Sequence, residues 1–458
     1  MLWQPLLMNP GEPPMVVLRG EVATMDTHGT IIADGAVAVG GERIIAVDTW
    51  ANLSAAYPAA EVVGDGSGLV TPGYINAHQH LTGDRLIASC IPEAIDSQAA
   101  IFGWAVPVHQ AHTAADDELS ATLASVAALT NGVTTTVEAG TVAHPHRVAA
   151  AVQHAGMRTM LGRWGWDADG VPFGAPADEV LDAQRQLVQR YPRGGLVQGW
   201  VTLVGHDLVS DELFVGAGQL AETLQTGLTF HMSPHPGDAA SFLARTGRRP
   251  LVHLQQLGVL GPRVLIAHGV HLDDAELAAI IDTGSAIAAC PWAYLRLAQG
   301  VTRGGRYADL LRAGARLAIG CDAENAGDAV DALSAARLFV GLCRDMSTDP
   351  FLATADDALR LLTCAAAEAI GMDDQIGSLE VGKQADVVIH DRSGVQFVPP
   401  SNDPLRQLVW ASDGRSVSDV FVAGRHVVSG GRCISVDLDS LRSEAVTRGD
   451  ALLRARNS

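Results

Sequence analysis

Short β-branched runs open the chain: Val16-Val17-Leu18-Arg19-Gly20, then Gly35-Ala36-Val37-Ala38-Val39-Gly40, then Arg43-Ile44-Ile45-Ala46-Val47. Gly and Asp separate them and leave little room for helices, so the pattern predicts strands. From about Thr71 to Ala369 the pattern changes. Short apolar runs at 132–137, 227–230, 263–267, 285–288 and 316–320 alternate with helical stretches at 116–131, 175–191, 210–226, 273–283 and 328–345. This alternation predicts parallel strands, in an open doubly wound sheet or a closed barrel. A last helix is expected over 354–370, with Thr354 as N-cap and acids in its first turn. The chain then returns to β at 377–382, 385–390, 417–424 and 425–428, and 438–456 reads as an amphipathic terminal helix. β segments at both ends of a β/α middle predict one small domain built from both termini. The expected division is 1–70, 71–375 and 376–458.

Composition narrows the class of partner. The formal net charge is −20, from 51 acidic and 31 basic side chains. Such a surface repels phosphate backbones and anionic lipid, which argues against nucleic-acid and membrane binding. No apolar run approaches the ~20 residues that span a bilayer, and Met1 to Pro14 lacks the pattern of a secretory leader. The six cysteines (Cys90, Cys290, Cys321, Cys343, Cys364, Cys433) are scattered without CxxC spacing. They read as reduced thiols in a cytoplasmic protein. Homo-oligomerisation is left open, and a small-molecule substrate is the expected partner.

Histidine carries the chemistry. Thr71-Pro72-Gly73-Tyr74-Ile75-Asn76-Ala77-His78-Gln79-His80 ends a short strand with two histidines two apart. Alternate residues of a strand face the same side, so both imidazoles can meet at one point, and imidazole suits zinc or another late divalent metal. Three more polar residues follow apolar runs: His231 after Gly227-Leu228-Thr229-Phe230, His268 after Val264-Leu265-Ile266-Ala267, and Asp322 after Leu317-Ala318-Ile319-Gly320-Cys321. In a barrel the C-terminal ends of all strands converge on one mouth, where sites form.

With these motifs the chain resembles the amidohydrolase superfamily, in the aminohydrolase branch of cytosine, guanine and triazine deaminases and chlorohydrolases. The resemblance covers nearly the whole chain. It includes Asn131-Gly132-Val133-Thr134-Thr135, Phe230-His231-Met232-Ser233, Ala267-His268-Gly269-Val270-His271-Leu272, Gly320-Cys321-Asp322 and Gly377-Ser378-Leu379-Glu380-Val381-Gly382-Lys383-Gln384-Ala385-Asp386. It implies a (β/α)8 TIM barrel, within the α/β class, with a small β-sandwich domain formed by both chain ends. It also implies a metal held by His78, His80, His231 and Asp322, with Asp322 shuttling the proton of the metal's water and His268 polarising the attacked bond. The resemblance points to one divalent ion, zinc ahead of iron or manganese. Many binuclear relatives bridge two metals with a carboxylated lysine, whereas lysine occurs here once, at Lys383, in the C-terminal β segment.

One position departs from the family. Deaminases of this branch carry a glutamate three residues after the histidine matching His231, and here that position is Pro234. Proline transfers no proton, so either His235 or Asp238 replaces the acid, or the reaction needs no ring protonation. Lesser candidates for substrate contact are His206, His271, Trp104 and Glu324, with Glu138, Trp164, Trp166 and Trp292 weighed as loop or packing residues. The expected activity is hydrolysis of a C–N bond in a small nitrogenous heterocycle, with deamination first. Amide or halide hydrolysis and a non-catalytic scaffold role are the alternatives.

Overall fold

The computed structural model describes residues 15–456, apart from residue 328. Eight parallel strands form its central layer: Tyr74–Gln79, Val133–Glu138, Arg158–Leu161, a fourth split at Trp200 into Val197–Gly199 and Val201–Gly205, then Leu228–Met232, Val264–His268, Ala286–Ala289 and Arg316–Ile319. Each pairs in parallel with the next. The ring closes where Gln79 bridges Asp322 and the main-chain N–H groups of Cys321 and Asp322 donate to the His78 carbonyl at 3.1 and 2.9 Å. Ile75, Val137, Met160, Leu265, Ala286 and Ala318 are buried together inside it, so the barrel is a packed core. The same cluster takes in Ala366 and Ile370, which plug the end where the strands begin.

The helices largely follow the expected spans: Ala114–Thr130, Ala177–Arg190, Asp211–Thr223, Asp274–Thr283 and Ala332–Ser347. Residue 328, where the last of these was expected to start, lies outside the described residues. Its observed N-cap is Asp331, whose carboxylate accepts from the Ser334 N–H.

Two expectations need correction. The helix expected over 354–370 is broken into Ala355–Arg360 and Cys364–Ala369, although Thr354 does cap the first piece. The carbonyls of Leu361 and Leu362 accept instead from Ile319, the last residue of the eighth barrel strand, and from Ile75, near the start of the first. Those acceptors are thereby removed from the helical ladder. The second correction concerns 377–382, which is irregular and not a strand. Gly377 and Gly382 sit at φ +92° and +95°, turning the chain where a strand would run straight.

The chain ends share one nine-stranded sheet. Strand Leu69–Pro72 lies between Val16–Ala23 and Val387–His390; the latter pairs with Val417–Val422, which in turn pairs with Arg425–Ser429. Phe421 near one edge shares a buried cluster with Val37, Val39 and Ile44 near the other, so the sheet folds over its own core. The terminal helix Leu438–Arg456 returns to the barrel, where Leu441, Ala445, Leu452 and Leu453 pack on Ile87, Ile91 and Val108. Contact there is close: a Cβ at Gly449 would collide with the Leu86 carbonyl oxygen.

Candidate active site

The strand ends deliver the expected histidines and aspartate to one buried cluster at the barrel mouth. Ring centroids of His78 lie 4.7 Å from His231, 5.3 Å from His80 and 5.3 Å from His268. The Asp322 Oδ1 is 3.6 Å from His78 Nε2 and 3.3 Å from His80 Nε2, and the Nε2 atoms of His80 and His231 are 3.4 Å apart. His268 and Asp322 adopt φ +77° and +63° just as their strands end, which turns their side chains out of the strand pleat.

The neighbours of these rings decide which nitrogen is left over. His231 Nδ1 donates to the Val204 carbonyl at 2.7 Å, and His80 Nδ1 meets Thr141 Oγ1 at 2.9 Å. Both rings therefore present Nε2 to the cluster. Glu138 lies behind Thr141: its carboxylate accepts from the Gly140 and Thr141 N–H groups at 2.7 and 3.2 Å. His78 is different, because both its ring nitrogens are buried and neither has a hydrogen-bond partner; the same holds for His268 Nδ1. Buried polar atoms without partners are costly and uncommon.

Charge follows the same geometry. Burial alone would raise the Asp322 carboxyl, but the adjacent His78 and His80 imidazoles hold it well below the usual carboxylate range. Burial pushes His78 and His231 down, and His268 down to about 3. Burial would lower His80 too, but the Asp322 carboxylate outweighs it and the net direction is upward. Imidazoles around an ionised carboxylate are the donor set that suits zinc. Among the described residues, ligand-capable atoms lie mutually close in two groups, His78 with His231 and His268, and His78 with Cys290 and Asp322. His80 reaches both through its contacts to His231 and Asp322.

The lesser candidates divide. His206 follows the fourth strand at φ +56° and stacks on His231, with ring centroids 5.8 Å apart. Its Nδ1 donates to Asp238 Oδ2 at 2.8 Å, and that oxygen also accepts from the Ser233 N–H at 2.6 Å. Burial would lower the His206 ring, but the Asp238 carboxylate outweighs it and the net direction is upward. His235, one residue beyond Pro234, is exposed and accepts from the Gly237 N–H within its own turn. His271 donates to the Gln299 carbonyl at 2.6 Å. Glu324 is buried and pairs with Arg85 at 2.9 Å. Trp104 packs under the terminal helix, with the Arg456 guanidinium 3.4 Å from its ring centre, and does not join the histidines. Thr141, Val204 and Cys290 were not legible as site residues. The first two act through hydrogen bonds across 61 and 27 residues, which no local motif announces.

Among the described residues no helix is long and apolar enough to cross a membrane, and all six cysteines are free. Residues 69–427 match the amidohydrolase family, and residues 35–60 match an imidazolonepropionase-like composite domain of bacteria. The 5-methylthioadenosine/S-adenosylhomocysteine deaminase of Syntrophobacter fumaroxidans is 28% identical over 436 residues, spanning 95% of this chain and 97% of that one. An adenosine deaminase from Xanthomonas campestris, solved with bound zinc, superposes with a TM-score of 0.91 at 27% identity, covering 97% of this chain and 100% of that one. A triazine hydrolase from Arthrobacter aurescens superposes with a TM-score of 0.86 at 25% identity, covering 96% and 99%. With the family matched over most of its length and the polar cluster in place at the barrel mouth, this chain belongs to the amidohydrolase family, in its aminohydrolase branch, as a metal-dependent hydrolase of carbon–nitrogen bonds.

Proposed function

We propose that this protein is a zinc-dependent deaminase that removes the exocyclic amine of a 6-aminopurine nucleoside or a close heterocyclic analogue. The observation that carries the reading is His78: a fully buried imidazole whose two nitrogens make no hydrogen bond, set among three other imidazoles and an ionised carboxylate. A single cation resolves that otherwise costly arrangement. The substrate class rests on full-length likeness to a methylthioadenosine/S-adenosylhomocysteine deaminase and to a zinc-bound adenosine deaminase. The six free cysteines support a cytoplasmic location.

In this reading His78, His80, His231 and Asp322 hold one ion. A divalent ion bound there would supply Lewis acidity, which lowers the pKa of a water toward ~7. Asp322 accepts the proton released on attack and passes it to the departing nitrogen. His268, kept neutral by burial, donates a hydrogen bond where charge develops on the attacked centre. His206, backed by Asp238, takes the place of the acid that Pro234 cannot supply and meets a ring nitrogen of the substrate. The preference for His206 over His235 follows from placement: His235 is exposed and turned into its own loop.

Pro234 favours a second reading, hydrolysis of a ring substituent such as chloride that needs no ring protonation. The test is a screen of zinc-loaded enzyme against adenosine, 5′-methylthioadenosine, S-adenosylhomocysteine, guanine and a chlorotriazine, measuring ammonia and chloride together. Ammonia from an aminopurine nucleoside is expected. Chloride release without ammonia from any member of the panel would replace the first reading with the second.

A further inference from the structure

We infer that Tyr307 and Tyr294 are positioning residues for His268, acting through a one-way hydrogen-bond chain that joins the ends of the sixth and seventh barrel strands. The inference rests on the reading of His268 as the group that polarises the reaction centre.

Three contacts build the chain. Tyr307 Oη lies 2.7 Å from the His268 carbonyl, Tyr294 Oη lies 2.8 Å from Tyr307 Oη, and the Cys290 N–H points to Tyr294 Oη at 2.7 Å. The two ends dictate its direction, because a carbonyl only accepts and an amide N–H only donates. Each hydroxyl has one proton. Tyr307 must spend its own on the His268 carbonyl, so Tyr294 donates to Tyr307 and accepts from Cys290. Every hydroxyl then donates once and accepts once, and one orientation satisfies the whole chain.

Both tyrosines are almost fully buried, at 1% and 2% exposure, so water does not compete for these bonds. Their rings are also fixed. Tyr307 stacks on Tyr294 at 5.8 Å and 13° and meets Phe339 edge-on at 5.3 Å, while Tyr294 meets the His268 ring edge-on at 5.8 Å. His268 is held from two sides, through its carbonyl by Tyr307 and across its ring by Tyr294. It needs such support because its backbone sits at φ +77°, where a residue with a Cβ is strained. The two helices that bring the tyrosines, Pro291–Arg296 and Tyr307–Arg312, are short connecting pieces. Cys290 belongs to a ligand-capable group with His78 and Asp322, so the chain spans from that group to His268.

The test uses zinc-loaded Tyr307→Phe, Tyr294→Phe and the double variant, with 5′-methylthioadenosine or whichever panel substrate the parent turns over. Zinc content and crystal structures are measured alongside. Tyr307→Phe is expected to lower kcat about tenfold, in line with the loss of one buried hydrogen bond, with KM within about twofold and zinc content unchanged. Tyr294→Phe is expected to lower kcat less, and the double variant to match Tyr307→Phe, because both act on one chain. The crystal structures should record a displaced His268 ring and an altered φ. An unmoved His268 in both single variants, or a parental kcat in Tyr307→Phe, overturns the inference. If Tyr307→Phe fails to fold, Tyr294→Phe decides by the same two measures. His268→Ala separates the two levels: parental turnover there sinks the role given to His268, whereas the crystallographic position of His268 in the tyrosine variants judges the chain itself.

Discussion

The two ends of the barrel bury ionisable groups in opposite ways. Where the strands begin, Arg158 is fully buried, yet its guanidinium donates to Gln384 Oε1 at 2.5 Å and to both oxygens of Asp386 at 2.9 and 3.3 Å. Asp386 accepts again from the Ala423 N–H, and His390 nearby has Thr71, Tyr74 and Ser416 around its ring. At the mouth, His78 is as deeply buried and its ring nitrogens meet no hydrogen-bond partner. Equal burial thus has two meanings. A completed network fastens the small domain to the barrel, whereas an incomplete one is shaped for something that arrives.

The largest effect expected at the mouth is on turnover. Asp322→Asn should cut kcat about a thousandfold, within the range of general acid–base catalysis, while the protein keeps its circular dichroism spectrum. Parental activity in that variant would remove the proton-shuttle role. At the other end, Arg158→Met should lower unfolding stability by ~3–5 kcal/mol, because it leaves the Asp386 carboxylate buried without its counter-charge. Turnover per folded molecule should be unaltered there, and an equal loss of kcat would dissolve the contrast between the two ends. A third, smaller effect tests the support of His80: Thr141→Val should weaken zinc binding about 10–100-fold, read by competition with a chromogenic chelator.

The smallest effect is one of pH. Burial, and then the charge of Arg392, push His390 down to about 3, against ~6.5 in the unfolded chain. Between those values the unfolded chain binds a proton that the folded protein refuses, so stability falls as pH drops through the window. Denaturation curves of the parent and His390→Asn at several pH values should differ in slope by roughly 1 kcal/mol per pH unit. Parallel slopes would show that His390 is not held neutral.

Much of this architecture was written in local patterns. The alternation of apolar runs and helical stretches announced parallel strands, the family resemblance chose the barrel over an open sheet, and His78, His80, His231, His268 and Asp322 each stood directly after or within such a run. What was not legible depends on contacts far apart in sequence. Strands Arg158–Leu161 and Val197–Gly205 escaped the pattern because Arg158, Thr159 and Gln198 interrupt their apolar character; Arg158 is inside only because Asp386 waits 228 residues away. The break in 354–370 is likewise set by Ile75 and Ile319, which claim two helical carbonyls. Tyr294 and Tyr307 gave no signal, since an isolated tyrosine reads as packing until its hydroxyl partner is known.

The shared sheet has a consequence in time. Strand Leu69–Pro72 pairs on one side with Val16–Ala23, made earlier, and on the other with Val387–His390. At ~5–20 residues per second a ribosome takes roughly 16–64 s to travel from one partner to the other. Through that interval the early strands carry an apolar edge with no neighbour, the feature that invites pairing with another chain. Slowing synthesis within the barrel should therefore raise aggregation of the nascent protein, even though no residue of the finished structure has changed.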